Sequence, residues 1–467
     1  MSYSPSLSYF LDRLSGYSTN YFKLQAQGSS SATANNIIRF NLPSNALLNM
    51  RTFALHFNAT TAASPNTAGA RLPNKIDSLI ERVEVSVGGV QLSAGANYYN
   101  VLCHAKQALM GDRSDPVLGH PEIVREKKYV DNDGTLITGT NNETYVATND
   151  STQFCIDHWE GFLGSCEPKV LDSSLLPDIV VSIYLASNNV LCSVGSVALT
   201  NAAGNAGFAG GAGAGGAIYT LNNIHATIEC LGLADATYDN MVSQMIAQKG
   251  YVEVPFKQYI SFRDNTLSAM RFSVAAACLD RIWVAHHMDT HATQGKPVAV
   301  TGFKRAGAFV AGAVATAAGD VDTDIGKPSF ENFDMNQEKY IAKEFNFKEP
   351  PTNSKMRYQF QLNGALYPQF QASFEEMYEI SKSSVLGAPQ KAYPLSTLKD
   401  NYSVQCIRLN MPESEYSRLL SGLDTRGVSL NGFYNLHNAN QARDITLFAE
   451  CTSVLRIGSG KQLEVIQ

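Results

Sequence analysis

The residues with most scope for chemistry in this 467-residue chain are a histidine cluster, a glycine run and scattered cysteines. His287 and His291 stand four apart beside His286, so a helix would set two imidazoles on one face, as zinc sites require. The preceding Arg281-Ile282-Trp283-Val284-Ala285 reads instead as a strand, and Asp289 is the only nearby carboxylate, which favours an exposed loop cluster over a metal centre. Gly211 to Gly216 satisfies G-x-G-x-x-G, a pattern that binds dinucleotides only between a strand and a helix N-terminus. The following Ile218-Tyr219-Thr220-Leu221 favours a strand, so no cofactor is expected there. Gly427-Val428-Ser429-Leu430-Asn431 fails the nucleophile-elbow pattern at its last position. Cys103 and His104 are adjacent, and neighbours on a helix point apart, so the pair reads as a core thiol beside a surface imidazole. No catalytic, cofactor-binding or metal-ligating residue is nominated, and the chain is expected not to be an enzyme.

The remaining chemistry is structural. The eight cysteines, Cys103, Cys155, Cys166, Cys192, Cys230, Cys278, Cys406 and Cys451, lie singly without a C-x-x-C pair, and are expected to be reduced, buried and apolar in role. Met1 to Pro5 lacks the charged and apolar regions of a secretory signal, which suggests folding in a reducing compartment. Asn58-Ala59-Thr60 and Asn142-Glu143-Thr144 match glycosylation sequons in form only. Asp235, Asp239, Glu375 and Glu376 are placed to favour helix N-termini through the helix dipole.

Net charge is −6, and within the first 27 residues only Asp12, Arg13 and Lys23 carry side-chain charge. A basic arm that binds phosphates by counterion release is therefore absent from that segment, so tight nonspecific nucleic-acid binding is not expected, and no sequence-specific nucleic-acid partner is expected either. Charged residues make up 17% of the chain, against about 25% in ordinary globular proteins, so much of the surface is expected to face other protein. The most apolar run, Ala306 to Ala318 behind Lys304 and Arg305, is too short and too rich in Ala and Gly to span a bilayer. It reads as a loop, with membrane contact as the lesser alternative.

The elements that must position these residues are mostly strands. Phe53, Leu55 and Phe57 alternate with Thr52, Ala54, His56 and Asn58, the period-two pattern of a strand with one face inward. Strand patterns recur at 37–42, 83–92, 179–185, 218–233, 251–254, 259–262, 271–284, 356–366, 404–409 and 445–466. Tyr238, Met241, Val242, Met245 and Ile246 break this pattern with helical spacing, and Gly250 stands at the expected C-cap.

A repeat organises the rest. Arg82 to Leu92 alternates into a Gly88-Gly89 turn and is followed by a helical segment with Tyr98, Tyr99, Leu102 and Leu109. Arg357 to Tyr367 alternates into an Asn363-Gly364 turn and is followed by a helix with Phe374, Met377, Tyr378 and Val385, at an offset of 275 residues. Gly-Gly and Asn-Gly supply the positive φ angles of two-residue hairpins. Ile224 to Cys230 likewise resembles Ile445 to Cys451, at an offset of 221. The unequal offsets place about 54 extra residues in the first half, with polar or Gly/Ala-rich segments at 131–151 and 201–217 to hold them. The second half carries its long insertion at 286–343. The pattern predicts an N-terminal arm over 1–20, a first sandwich over 21–234, a connecting helix over 235–250 and a second sandwich over 251–467.

The Ile80 to Gly89 run with Asn97-Tyr98-Tyr99-Asn100, the Gln361 to Gly364 run and the closing Val454 to Val465 hairpin resemble double-jelly-roll major capsid proteins of eukaryotic double-stranded DNA viruses, most of all those of polinton-like viruses and virophages. The resemblance covers nearly the whole chain in layout. It implies an all-β fold of two consecutive eight-stranded jelly rolls with short helices and long loop insertions. It further implies a homotrimeric, pseudo-hexagonal capsomer in an icosahedral virion, with penton and minor capsid proteins as partners and assembly in the host cytoplasm or nucleus. The arm would lie beneath the shell, and the long loops would form outward towers. A metal at the histidine cluster would then serve a trimer contact. The competing expectation is a two-domain jelly-roll carbohydrate-binding or adhesion protein.

Overall fold

The computed structural model describes residues 17–62, 67–73, 75–92, 97–110, 153–195, 198–200, 206–208, 218–233, 244, 246–266, 268–287, 300–301, 321–322, 357–385, 404–411, 421–426, 432–438 and 443–467. The expected features at 1–16, 131–151, 211–216, 235–243, 288–299, 302–320 and 427–431 lie outside the described residues.

The first lobe is two facing antiparallel sheets. Its strands are β1 (Tyr17–Gln25), β2 (Ile37–Asn41), β3 (Leu47–Ala62), β4 (Ile80–Val87), β5 (Val90–Gln91), β6 (Gln153–Ile156), β7 (Ile179–Leu185) and β8 (Ile218–Leu233). Helix α1 (Tyr99–Met110) joins β5 to β6. One sheet runs β1-β8-β3-β6, widened by the short strands Ala32–Thr33 and Val170–Asp172; the other runs β2-β7-β4-β5.

The second lobe repeats this order strand for strand. It comprises β9 (Tyr251–Thr266), β10 (Ala269–Phe272), β11 (Leu279–His287), β12 (Arg357–Leu362), β13 (Ala365–Ala372), β14 (Val404–Arg408), β15 (Gly432–His437) and β16 (Arg443–Gly458), with α2 (Phe374–Ser384) between β13 and β14. Its sheets run β9-β16-β11-β14 and β10-β15-β12-β13, and β17 (Leu463–Ile466) adds to β16. In each lobe the first strand pairs antiparallel with the last, Tyr17 opposite Leu233 and Tyr251 opposite Gly458. That closure, with strands alternating between two sheets, is the jelly-roll arrangement. The fold class read from the sequence is the one observed.

Local physics explains the corners. Gly88 and Gly89 take φ of 56° and 83°, and Asn363 and Gly364 take 49° and 85°, so both hairpins close through the left-handed turn their residues favour. Ser373 starts α2 with a capping box: its hydroxyl accepts from the Glu376 backbone N–H at 3.2 Å, while Glu376 accepts from the Ser373 N–H at 2.7 Å. Gly250 has the geometry of a helix C-cap, with φ 82° and its N–H donated to Ile246 O at 2.8 Å. The first strand begins at Tyr17, four residues before the expected boundary. Tyr251 to Thr266 forms one strand where two runs were read, and β15 falls where no strand was expected.

Each sandwich has an apolar interior. In the second lobe Phe272, Ile282, Val284, Phe360, Tyr434, Ile445 and Leu447 fill it. The interior of the first lobe, built on Phe40, Phe53, Phe57, Val85 and Val181, continues into residues of the second: Trp283, Ala285, Val404, Cys406 and Phe448 belong to the same cluster. These lie on the face of the β9-β16-β11-β14 sheet that points away from its own core, so the second lobe buries both faces of that sheet.

Candidate assembly interface

The site with the densest buried chemistry among the described residues is the junction of the two lobes. Helix α1 lies across the outer face of the β9-β16-β11-β14 sheet. Lys106 on α1 bonds Glu160 and donates to the Tyr259 hydroxyl at 2.9 Å, with its ammonium 5.3 Å from the Tyr259 ring centroid and 5.9 Å from that of Trp283. The Tyr259 hydroxyl in turn donates to Glu160 at 3.2 Å, so three groups from both lobes satisfy one another. Tyr99 on α1 fixes the Glu160 backbone, whose N–H donates to the tyrosine oxygen at 2.8 Å.

Beneath this layer, Glu450 on β16 accepts from Arg281 Nη1 at 3.0 Å and Trp283 Nε1 at 2.7 Å. Burial pushes its carboxyl up, but Arg281, then Lys106 and Lys257, with the Trp283 N–H, outweigh that and hold it at about 2. Lys257 also bonds Asp280 at 2.9 Å and Thr452 at 3.0 Å. Around the network, Phe162 meets Phe256 edge-on at 5.2 Å, Arg263 covers the Tyr98 ring at 5.1 Å, and the Asn97 N–H donates to Ser261 Oγ at 3.0 Å. A junction this well satisfied fixes the two sandwiches as one body.

Register shows what stands at the matching places in the first lobe. Tyr259 lies opposite Glu450, and Tyr21 lies opposite Glu229; Arg281 and Trp283 on β11 correspond to Asn49 and Ala54 on β3. Glu229 accepts from Asn49 Nδ2 at 2.7 Å, a neutral amide in place of the guanidinium and indole. Tyr259 is 3% exposed, whereas Tyr21 is 64% exposed. Among the described residues, the short helix Phe162–Ser165 is the one that meets β3 of the first lobe's β1-β8-β3-β6 sheet, and neither α1 nor α2 packs on that sheet to a comparable extent. Lys23 is exposed there, and His56 and His225 stack half-buried with ring centroids 5.0 Å apart. Burial, then His225 and Lys23, lower the His56 pKa.

Two expectations from sequence require correction. His286 does not belong to an exposed loop: it lies near the end of β11 on the inward face, fully buried, with Nε2 2.9 Å from the Tyr434 hydroxyl and its ring against Tyr358 and Tyr434. The side chain of His287 and all of His291 lie outside what is described. His104 is likewise not on the surface; it is 1% exposed, with Nε2 2.9 Å from Ser78 Oγ and 3.6 Å from Asp77. Its neighbour Cys103 is the buried thiol expected, as are Cys166, Cys230, Cys278, Cys406 and Cys451, while Cys155 is half-buried. Burial pushes the Cys166 thiol up to about 12 and that of Cys278 to about 11. Glu376 caps α2, in line with the acidic start expected for that helix. The junction itself was missed, although its signal was in view: a glutamate recurs inside each of the matching apolar strands that contain Glu229 and Glu450.

No protein-family model matches the chain, and no curated protein sequence is similar to it. Its fold is that of viral capsid proteins. The PBCV-1 protein VP54, fitted into a cryo-EM reconstruction of the virophage Sputnik, superposes with a TM-score of 0.58 at 14% identity, over 98% of each chain. The PBCV-1 capsid chain in a quasi-atomic model gives 0.52 at 14% identity, again over 98% of each. The Faustovirus major capsid protein gives 0.52 at 10% identity, over 98% of this chain and 93% of that one. The chain therefore shares the complete double-jelly-roll fold with these capsid proteins, from its first lobe to its last.

Proposed function

We propose that this chain is a major capsid protein whose work is assembly. The observation that carries the reading is the strand-for-strand repetition of two sandwiches locked side by side by the Lys106–Glu160–Tyr259 contacts. Three copies would present six similar lobes, so a ring with cyclic symmetry alone offers six comparable edges to a hexagonal lattice. Such rings would tile an icosahedral shell around a double-stranded DNA genome, with penton and minor capsid proteins at positions that a hexagonal tile cannot fill. The likeness to the Faustovirus major capsid protein along nearly the whole chain supports the reading.

Sedimentation of the purified chain tests it. A species of three chains is expected, with more than about 2,000 Å² buried per pair, together with pseudo-hexagonal rings under the electron microscope. A stable monomer at micromolar concentration would overturn it.

A further inference from the structure

Residues 26–36 carry the chain from β1 in one sheet of the first lobe to β2 in the other, and they do so around a polar groove of about 620 Å³, a size common for small-molecule sites. Backbone bonds pin this segment along its length. The Gln27 N–H donates to Arg39 O at 2.8 Å, the Asn36 N–H to Thr33 O at 3.1 Å and the Ile224 N–H to Ser30 O at 3.0 Å, while Ala32 and Thr33 pair with Leu221 and Thr220 on β8. Gly28 at φ 93° and Asn35 at φ 63° supply the two left-handed corners that the path needs. The groove is therefore shaped before a ligand arrives, which spares binding the cost of ordering a loop. It lies at the end of the lobe where β3 runs out at Ala62 and β8 begins at Ile218, away from Tyr17.

The lining defines the chemistry. Gln27, Asn35 and Asn36 bring three amides, none of which bonds the side chain or backbone of another described residue through its side chain. Each amide both donates and accepts, as the hydroxyls of a sugar ring require. Arg39 adds a guanidinium, the group that pairs with a carboxylate through two parallel bonds. Among the described residues, no aspartate or glutamate lines the groove. Glu84 stands two strands from Arg39 on the same sheet face, outside the lining, where Arg82 offsets its charge and the Tyr184 hydroxyl donates to it at 2.8 Å. Ile37 lies beside Arg39 on the outer face of β2 and is 43% exposed, an apolar seat for the C–H face of a ring. We propose that this groove binds a saccharide carrying a carboxylate, with Arg39 on the carboxylate and Asn35 and Asn36 on ring hydroxyls. On the capsid reading, such a site would let the particle hold an acidic glycan, a role separate from assembly.

Titration of the purified chain with D-glucuronic acid, followed by saturation-transfer NMR, tests the site, with D-glucose as the neutral comparison and inorganic sulfate as a competitor. Glucuronate should bind saturably and about tenfold more tightly than glucose, which has no carboxylate for Arg39. Arg39→Ala should weaken glucuronate about tenfold and Asn36→Ala about fivefold. Both residues are exposed, so the circular dichroism of the variants should match that of the unaltered protein. Glucuronate that fails to saturate, or an Arg39→Ala variant that binds it unchanged, overturns the site. Sulfate that displaces glucuronate at equal concentration also overturns it, because the groove would then read charge alone. Sedimentation decides the trimer separately, so either reading can fail without the other.

Discussion

Glu450 is fully buried, and its charge survives there because Arg281, Lys106 and Lys257 stand around it. With its folded pKa held at about 2, below the usual carboxylate value, its contribution to stability is fully present above pH ~4.5 and is lost as pH falls toward 2. That contribution is on the order of 3 kcal/mol. Glu450→Gln keeps the shape but leaves Arg281 buried without its counter-charge, a loss of about 3–5 kcal/mol. Urea unfolding at pH 7 should show that loss, and the gap between wild type and variant should narrow at pH 3. An equal gap at both pH values would mean that the carboxylate charge is not what stabilises the junction.

Among the elements, β15 shows where the linear pattern fails. Gly432, Tyr434 and Leu436 point inward while Phe433, Asn435 and His437 point outward, so an aromatic on each face hides the alternation. Gly432 is required for close approach: a Cβ there would lie 2.4 Å from the ring of Phe272, its partner on β10. Gly432→Ala should cost about 1–3 kcal/mol by overpacking, visible as a lower melting temperature with an unchanged circular dichroism spectrum. The hairpins were legible for the opposite reason: Gly-Gly and Asn-Gly act on the two residues that carry them, whatever the rest of the chain does.

At the scale of the whole molecule, the apolar cluster of the first lobe runs through α1 into Trp283, Phe448 and Cys406 of the second. Neither lobe can lose its structure without exposing part of the other's interior. Tryptophan fluorescence and far-ultraviolet circular dichroism should therefore report one coincident denaturant transition. Two separated transitions would show that the junction is too weak to couple the lobes. Trp159 and Trp283 place one probe in each lobe, so fluorescence reads both halves.

Two sandwiches, their hairpins and their order were determined by the sequence itself, because periodicity, turn residues and helix ends act over a few neighbours. The side on which His286 faces, the burial of His104 and the partners of Glu450 were decided only by tertiary structure. Whether the second face of a sheet is wet or dry depends on what arrives from elsewhere in the chain. Lys106 and Tyr259 meet from 153 residues apart. The same physics separates Tyr259 from Tyr21: both occupy the same place in their strands, and only the helix above one of them makes it a core residue.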